Sequence, residues 1–233
     1  TRAGFLYALK NWSGLEGVRW DACGALQLSR DAKEESSQQK AALGQPADYL
    51  QYVDREEASR RAGVELAAGG LRFAQAGWIQ PRSLVKAQLK DVDVKYGSEV
   101  KAIDNDSVVI LANSSEAVKL HAVPHLRLRR VRGQLTYLPE DRLEPPHVVV
   151  LRGGMVLPPV DGLCVVGASF DIDDDDPQPR GESQAGNLER LEGILSARVK
   201  SEEFENRVAF RSVAPDRLPA VGKLAENVYG AFA

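Results

Sequence analysis

The run VVILA at residues 108–112 constrains the fold more than any other segment. An unbroken stretch rich in β-branched residues matches a short strand buried on both faces, because a parallel sheet covered by helices has no wet side along which polar residues would alternate. That signature belongs to a parallel, doubly wound sheet. Just upstream, Pro81 stands where the first turn of a helix tolerates a missing N–H, and Leu84, Val85 and Leu89 supply an apolar side. This helix is expected to end near Lys90, and Val92, Val94 and Tyr96 then alternate as a further strand.

Other parts of the chain read differently. Leu135 and Tyr137, then residues 148–151, 155–157 and 163–166, are short strand candidates separated by Gly and Pro, as in an antiparallel sheet. Leu188, Leu191, Ile194, Leu195 and Val199 mark an amphipathic helix, and residues 208–210 form a last strand candidate before the loop at Pro215 and Pro219. Near the start, Phe5, Leu6, Leu9 and Trp12 sit at helical spacing, and CGALQL at 23–28 alternates like a strand. A helix is expected within 29–45 and a second, short one within 49–63, with GGLRFAQAGWIQP strand-like after them. No internal repeat is found. The expected class is mixed α/β, a parallel part visited more than once with an antiparallel part inserted into it.

Composition narrows the function. The 233 residues suffice for one large domain or two small ones, and 30 Lys plus Arg against 33 Asp plus Glu give a net charge of −3. Such a balance provides no global attraction to nucleic acid or anionic membrane, so a polyanion site must be a local patch. The longest clear apolar run falls far short of the ~20 residues that span a bilayer. Cys23 and Cys164 lie far apart without a CxxC, which removes zinc-ribbon and disulfide-scaffold readings and makes each a small buried apolar residue of a reducing, cytoplasmic compartment. The chain begins at Thr1 without a signal or transit pattern and reads as a piece of something longer.

The local motifs exclude more than they assign. Asp171 and Asp173 to Asp176 suggest calcium, but the sixth position of a calcium loop should be Gly, and here Asp176 is followed by Pro177. A solvated loop and no metal are expected. Arg127, Arg129, Arg130 and Arg132 could meet phosphates, yet an extended segment splits them between two faces. His121, His125 and His147 have no HExxH spacing; no GxSxG, Walker lysine loop or complete GxGxxG occurs. Trp78 reads as a packed aromatic. The segment RSVAPDRLPAVG at 211–222 places an arginine just after a strand and closes through two prolines on a glycine. A fixed guanidinium fork suits a carboxylate ligand, although an Arg211–Asp216 surface pair would present the same pattern.

Seven pieces, taken in order, carry a resemblance: CGALQL at Cys23, AGWIQP at Ala76, VVILANS at Val108, RGQLTYLP at Arg132, LCVVGASF at Leu163, QAGNLERL at Gln184 and FRSVAPDRLPAVG at Phe210. Together they resemble the glycine oxidase/D-amino-acid oxidase-like family of FAD-dependent oxidoreductases, and within it the branch forming the C-terminal oxidase domain of bifunctional enzymes that make 5-methylaminomethyl-2-thiouridine in tRNA. The resemblance implies a fragment of a two-layer FAD oxidoreductase, with an antiparallel or mixed substrate-domain sheet and parts of a parallel FAD-binding sheet. The implied blocks are 1–20 (tail of an FAD-domain helix), 21–80 and 125–206 (substrate domain), and 81–124 and 207–233 (FAD domain). A glycine-rich dinucleotide segment, and in the parent a methyltransferase domain, would precede Thr1, and a glycine-rich turn would follow Ala233. The family usually has a longer excursion between 100 and 108, so either this protein is trimmed there or residues are missing from the chain.

The resemblance further implies a reaction. A secondary amine carrying a carboxymethyl group, as on wobble uridine of tRNA, is oxidised at its α-carbon, and hydrolysis then releases glyoxylate; no catalytic His or Cys is required. Arg211 corresponds to the arginine that grips the substrate carboxylate. Gly133 and Gln134 correspond to the strand passing the flavin, Asp216, Pro219 and Gly222 to the loop returning to the FAD domain, and Asn113 to the second approach to the dinucleotide. Ser114 stands where the family usually has Gly. Arg129 and Arg130 are the candidate RNA contacts. A free glycine, sarcosine or D-amino-acid oxidase, and a binding module with a degenerate flavin site, are the alternatives, and the fragment alone is expected to be inactive.

Overall fold

A computed structural model describes residues 2–104, 106–123, 127–196, 198–200 and 202–232. In chain order they form α1 (Arg2–Trp12), β1 (Trp20–Asp21), β2 (Ala25–Leu28), α2 (Ala32–Ala42), β3 (Gln51–Val53), α3 (Arg55–Ala62), β4 (Gly70–Phe73), β5 (Trp78–Ile79), α4 (Pro81–Gln88), β6 (Val109–Leu111), β7 (Arg129–Pro139), β8 (Val149–Leu151), β9 (Met155–Val156), β10 (Leu163–Gly167), β11 (Asp171–Ile172), α5 (Gly181–Leu195), β12 (Glu205–Val213), β13 (Ala220–Ala225) and β14 (Val228–Phe232), with short 3₁₀ turns at Ser114–Lys119 and Glu140–Arg142. None of the helices is long and apolar enough to cross a membrane among the described residues.

Two compact units divide the chain: residues 1–96, 137–167 and 188–203, and residues 97–136, 168–187 and 204–233. This division differs from the five blocks that the resemblance implies.

In the first unit the strands run in the order β10-β9-β8-β2-β4-β3. All neighbours are antiparallel except β2 and β8, which are parallel with Leu26 opposite Val150. Local chemistry starts the helices. Asp31 accepts from the Glu34 N–H at 2.8 Å and Asp54 from the Glu57 N–H at 2.8 Å, each capping a helix whose first turn carries glutamates. Gly63 closes α3 in the left-handed region at φ 74°. Gly70 is required by its neighbour, since a Cβ there would lie 2.1 Å from the carbonyl oxygen of Gln27 on the paired strand. Leu26, Leu28, Val150, Val156, Leu191 and Ile194 are all essentially buried in this unit.

The second unit contains a three-stranded sheet in the order β13-β14-β6, with β14 and β6 parallel and Gly230 opposite Leu111. Its inner face packs Leu111, Ala117, Val228 and Phe232 together. The long strand β7, whose residues 129–136 belong here, pairs with β11 and β12.

Several sequence expectations are corrected. Residues 92–96 form no strand; Val92 and Tyr96 are 54% and 86% exposed, and nothing among the described residues pairs with them. The 108–112 run is a strand only over Val109–Leu111 and is not buried on both faces: Ile110 is 66% exposed and Leu111 only 4%. Because β6 ends its sheet and only one sheet face carries packing, an apolar run there alternates in burial regardless of its composition. Residues 51–53, expected within a helix, pair as strand β3 with β4. The strand expected at 208–210 runs over nine residues, Glu205–Val213, and it is not the last, since β13 and β14 follow it.

Candidate functional site

Every site residue expected from the sequence lies in the second unit. Its basic strand and acidic loop, read separately in the sequence, face each other. Antiparallel pairing of β7 with β11 places Arg132 opposite Asp171, so the loop that follows folds back along the arginines. Arg129 grips Asp173 with two bonds of 3.3 and 2.5 Å. Arg130 reaches Asp175 at 3.1 Å and stacks 4.1 Å from the centre of the Phe210 ring. Arg180 holds Asp174 at 2.5 and 3.0 Å and Asp176 at 2.9 and 3.1 Å. The guanidinium of Arg129 holds the Asp173 carboxyl below its usual range, and that of Arg180 does the same for Asp174. For Asp176 the Gln178 N–H contributes most and Arg180 next. Among the described residues no cluster of His, Cys, Asp and Glu could hold a metal ion, and the carboxylates of this loop serve as counter-ions instead. His125 lies outside the described residues.

Beneath this surface the polar side chains are satisfied. Arg132 is fully buried, and its five N–H groups reach the Asp176 and Gln178 carbonyls, Asp171, Ser183 and the Gln134 amide oxygen at 2.6 to 3.5 Å. Gln134 is also fully buried. Its amide nitrogen donates to the Arg180 carbonyl and to Asn206, and its oxygen accepts from the Arg180 N–H and from Arg132. With that amide saturated, the Gln134 side chain supports the strand and is not available to a ligand. Gly133, beside it, is half-buried, and a Cβ there would meet only ordinary contacts, the nearest being the Ser169 carbonyl at 3.5 Å. Asn187, Asn206 and Ser169 complete this network. Sequence reading gave none of the three a role, although Ser169 and Asn187 fall within the pieces LCVVGASF and QAGNLERL, because their partners lie far away in the chain.

Arg211 projects from β12, exposed, with its guanidinium 4.9 Å from the centre of the Phe170 ring. It has no carboxylate partner among the described residues. The rival reading, a pair with Asp216, is not realised: the Asp216 carboxylate accepts from the Leu218 N–H at 3.0 Å and closes its own turn. Arg211 lines a concavity of about 360 Å³ with Phe170, Val213, Leu218 and Pro219, and a second one of about 420 Å³ with Ser115, Lys119 and Arg130.

Asn113 stands just past the carboxyl end of β6, on the wall of a concavity of about 770 Å³ that Lys101, Ile103, Leu111 and Leu120 also line. The next residue, Ser114, has φ 60°. The backbone therefore takes the left-handed form that glycine would take, and serine bears the strain. Ser212, buried one residue after Arg211, accepts from the Ser114 hydroxyl at 2.7 Å and from the Ser115 N–H at 2.9 Å. Gly222 is exposed on β13, and a Cβ there would meet nothing within 4 Å, so its backbone is bare. A roomy concavity at the carboxyl end of a parallel strand, followed by a left-handed turn, fits a dinucleotide cofactor. The geometry thus groups Arg211 with Pro219, sets Asn113 on a different concavity, and leaves Asp216 occupied in its turn.

Comparison with known proteins gives the family. The model described as FAD dependent oxidoreductase (DAO) matches residues 4–233. The tRNA 5-methylaminomethyl-2-thiouridine biosynthesis bifunctional protein MnmC of Aromatoleum aromaticum is 40% identical over 257 residues, covering 96% of this chain and 40% of its own. The protein of the same name from Paraburkholderia phytofirmans is 35% identical, covering 100% of this chain and 40% of its own. The chain thus spans about 40% of the length of these curated relatives. In fold, it is similar to glycine oxidase from Bacillus cereus, with a TM-score of 0.76 at 16% identity over 98% of this chain and 72% of that one. It is likewise similar to L-alpha-glycerophosphate oxidase from Mycoplasma pneumoniae, solved with FAD bound, with a TM-score of 0.76 at 14% identity over 97% and 72%. With residues 4–233 matched by the family model, this chain belongs to the DAO family of FAD-dependent oxidoreductases.

Proposed function

We propose that the protein carrying this chain is an FAD-dependent oxidase that removes the carboxymethyl group from a glycine-like secondary amine, the carboxymethylaminomethyl uridine at the wobble position of tRNA. The observation that carries this reading is Arg211: an exposed guanidinium without a carboxylate partner among the described residues, steadied by an aromatic ring at 4.9 Å and lining a concavity. The relatives named as tRNA-modifying bifunctional proteins support the choice of nucleoside, and a cytoplasmic location accords with such a substrate.

Arg211 binds the substrate carboxylate through a planar two-bond fork, and the Phe170 ring restricts the rotation of that fork. Val213, Leu218 and Pro219 supply apolar walls that strengthen the contact by excluding water. FAD, when bound, supplies the two-electron oxidation of the Cα–N bond to an imine, which water hydrolyses to glyoxylate and the aminomethyl nucleoside. Asn113, Gly133, Pro219 and Gly222 are the residues that would hold the cofactor, through backbone and amide contacts. Asp216 orders the turn between them and Arg211, and Gln134 acts only by keeping β7 in place.

In the full-length protein, Arg211→Ala is expected to lower kcat/KM for tRNA about 10- to 150-fold, the value of a charge-assisted contact of ~1.5–3 kcal/mol. Unchanged kinetics remove the clamp role. One observation favours a second reading, oxidation of a free amino acid: Arg129 and Arg130 already hold Asp173 and Asp175, so the face proposed for RNA is close to neutral. Replacing both arginines by alanine separates the two readings, because only a tRNA enzyme then binds its substrate more weakly with a shallower salt dependence.

A further inference from the structure

The buried Ser212 hydroxyl stands out because it joins two functional segments. On one side it immediately follows Arg211 on β12; on the other it accepts from both the Ser114 hydroxyl at 2.7 Å and the Ser115 N–H at 2.9 Å. Ser114 sits at φ 60°, where an L-residue is strained, and such backbone persists only when its surroundings hold it. A glycine at 114 would need no such restraint.

We propose that Ser212 is a positioning residue: its hydroxyl latches the strained turn after Asn113 to the strand that carries Arg211, so that the cofactor-facing turn and the carboxylate clamp keep a fixed separation. The proposal rests on the oxidase reading given above. Ser212 lies on the wall of the Arg211 concavities, but its hydroxyl is taken up by Ser114 and Ser115, and it acts through them. Ser114 and the Ser212 hydroxyl form one device, in which the tether holds a serine in the left-handed turn that glycine would take without strain.

The test uses the full-length protein. Ser212→Ala leaves the Ser115 N–H without its acceptor and frees Ser114, so exchange of the Ser115 amide is expected to rise about tenfold and the FAD dissociation constant, read from flavin fluorescence, to rise by a similar factor. Adding Ser114→Gly should return the FAD constant most of the way to the wild-type value. A purely structural defect would not be rescued by that second change. Equal FAD affinity in wild type and Ser212→Ala, or effects of the two substitutions that simply add, overturns the latch. If the wild-type protein takes up no FAD, the oxidase reading fails instead, and Ser115 exchange still decides the tether: faster in Ser212→Ala supports it, unchanged refutes it.

Discussion

Arg132 offers the sharpest test of what organises the second unit. Its guanidinium is fully buried and all five N–H groups are engaged, two of them by the Asp176 and Gln178 carbonyls and one by Asp171. Substituting methionine keeps the volume and removes every donor. Two carbonyls and the Gln134 amide oxygen then lose a partner, and Asp171 loses its cation. Breaking a buried pair from one side costs about 3–5 kcal/mol, and since the Asp171 side chain is 33% exposed and keeps the Ser169 hydroxyl at 2.8 Å, the lower end applies. Lysine keeps the charge but offers three donors without the planar fork, so Arg132→Lys should cost roughly half as much. Tryptophan fluorescence would miss the effect, because Trp12, Trp20 and Trp78 all lie in the first unit. Hydrogen exchange of peptides covering 168–187 reads it directly: about 3 kcal/mol corresponds to opening some 150-fold more often, with methionine above lysine above wild type. An Arg132→Met protein whose loop exchanges within about twofold of wild type would refute the reasoning, since the guanidinium's desolvation would then cancel its five bonds. Pairing Arg132→Met with Asp171→Leu should recover part of the loss, as removing both charges avoids the orphan.

Other expectations concern charge and packing. Because Arg129 and Arg180 depress the carboxyls of Asp173 and Asp174, and the Gln178 N–H with Arg180 that of Asp176, these groups stabilise the fold fully above the ordinary carboxyl range near pH 4; the contribution is lost as pH falls through the depressed native values. A carboxyl titration followed by NMR should show Arg180→Ala moving Asp174 upward toward the ordinary range, with the Asp176 N–H still holding it down in part, and no change there contradicts the assignment. In the first unit, Gly70→Ala drives a methyl to 2.1 Å from the Gln27 carbonyl and must part β2 from β4; a melting temperature within about 2 °C of wild type, roughly half a kcal/mol or less, would show that the strands yield easily.

What the chain shows by itself is local. Asp31 and Asp54 cap the helices that follow them, Pro81 opens one, and the apolar spacing of Leu188, Leu191, Ile194 and Leu195 marks the buried side of another, because each signal acts within one or two turns of backbone. The seven family-like pieces were equally legible, and with them the family and its cofactor. The tertiary structure decided everything that joins distant residues. VVILA reads as doubly buried until its strand proves to lie at a sheet edge, since burial depends on neighbours that periodicity cannot supply. Arginines at 129–132 and aspartates some 40 positions later read as two separate charge runs. Only antiparallel register makes them one ion-paired zipper, and Arg211 is left without a carboxylate of its own among the described residues. The resemblance implies glycine where Ser114 stands, but the group that holds this serine is a hydroxyl 98 positions away. A strained turn is held by whatever the fold brings beside it, and that proximity is a property of the folded chain alone.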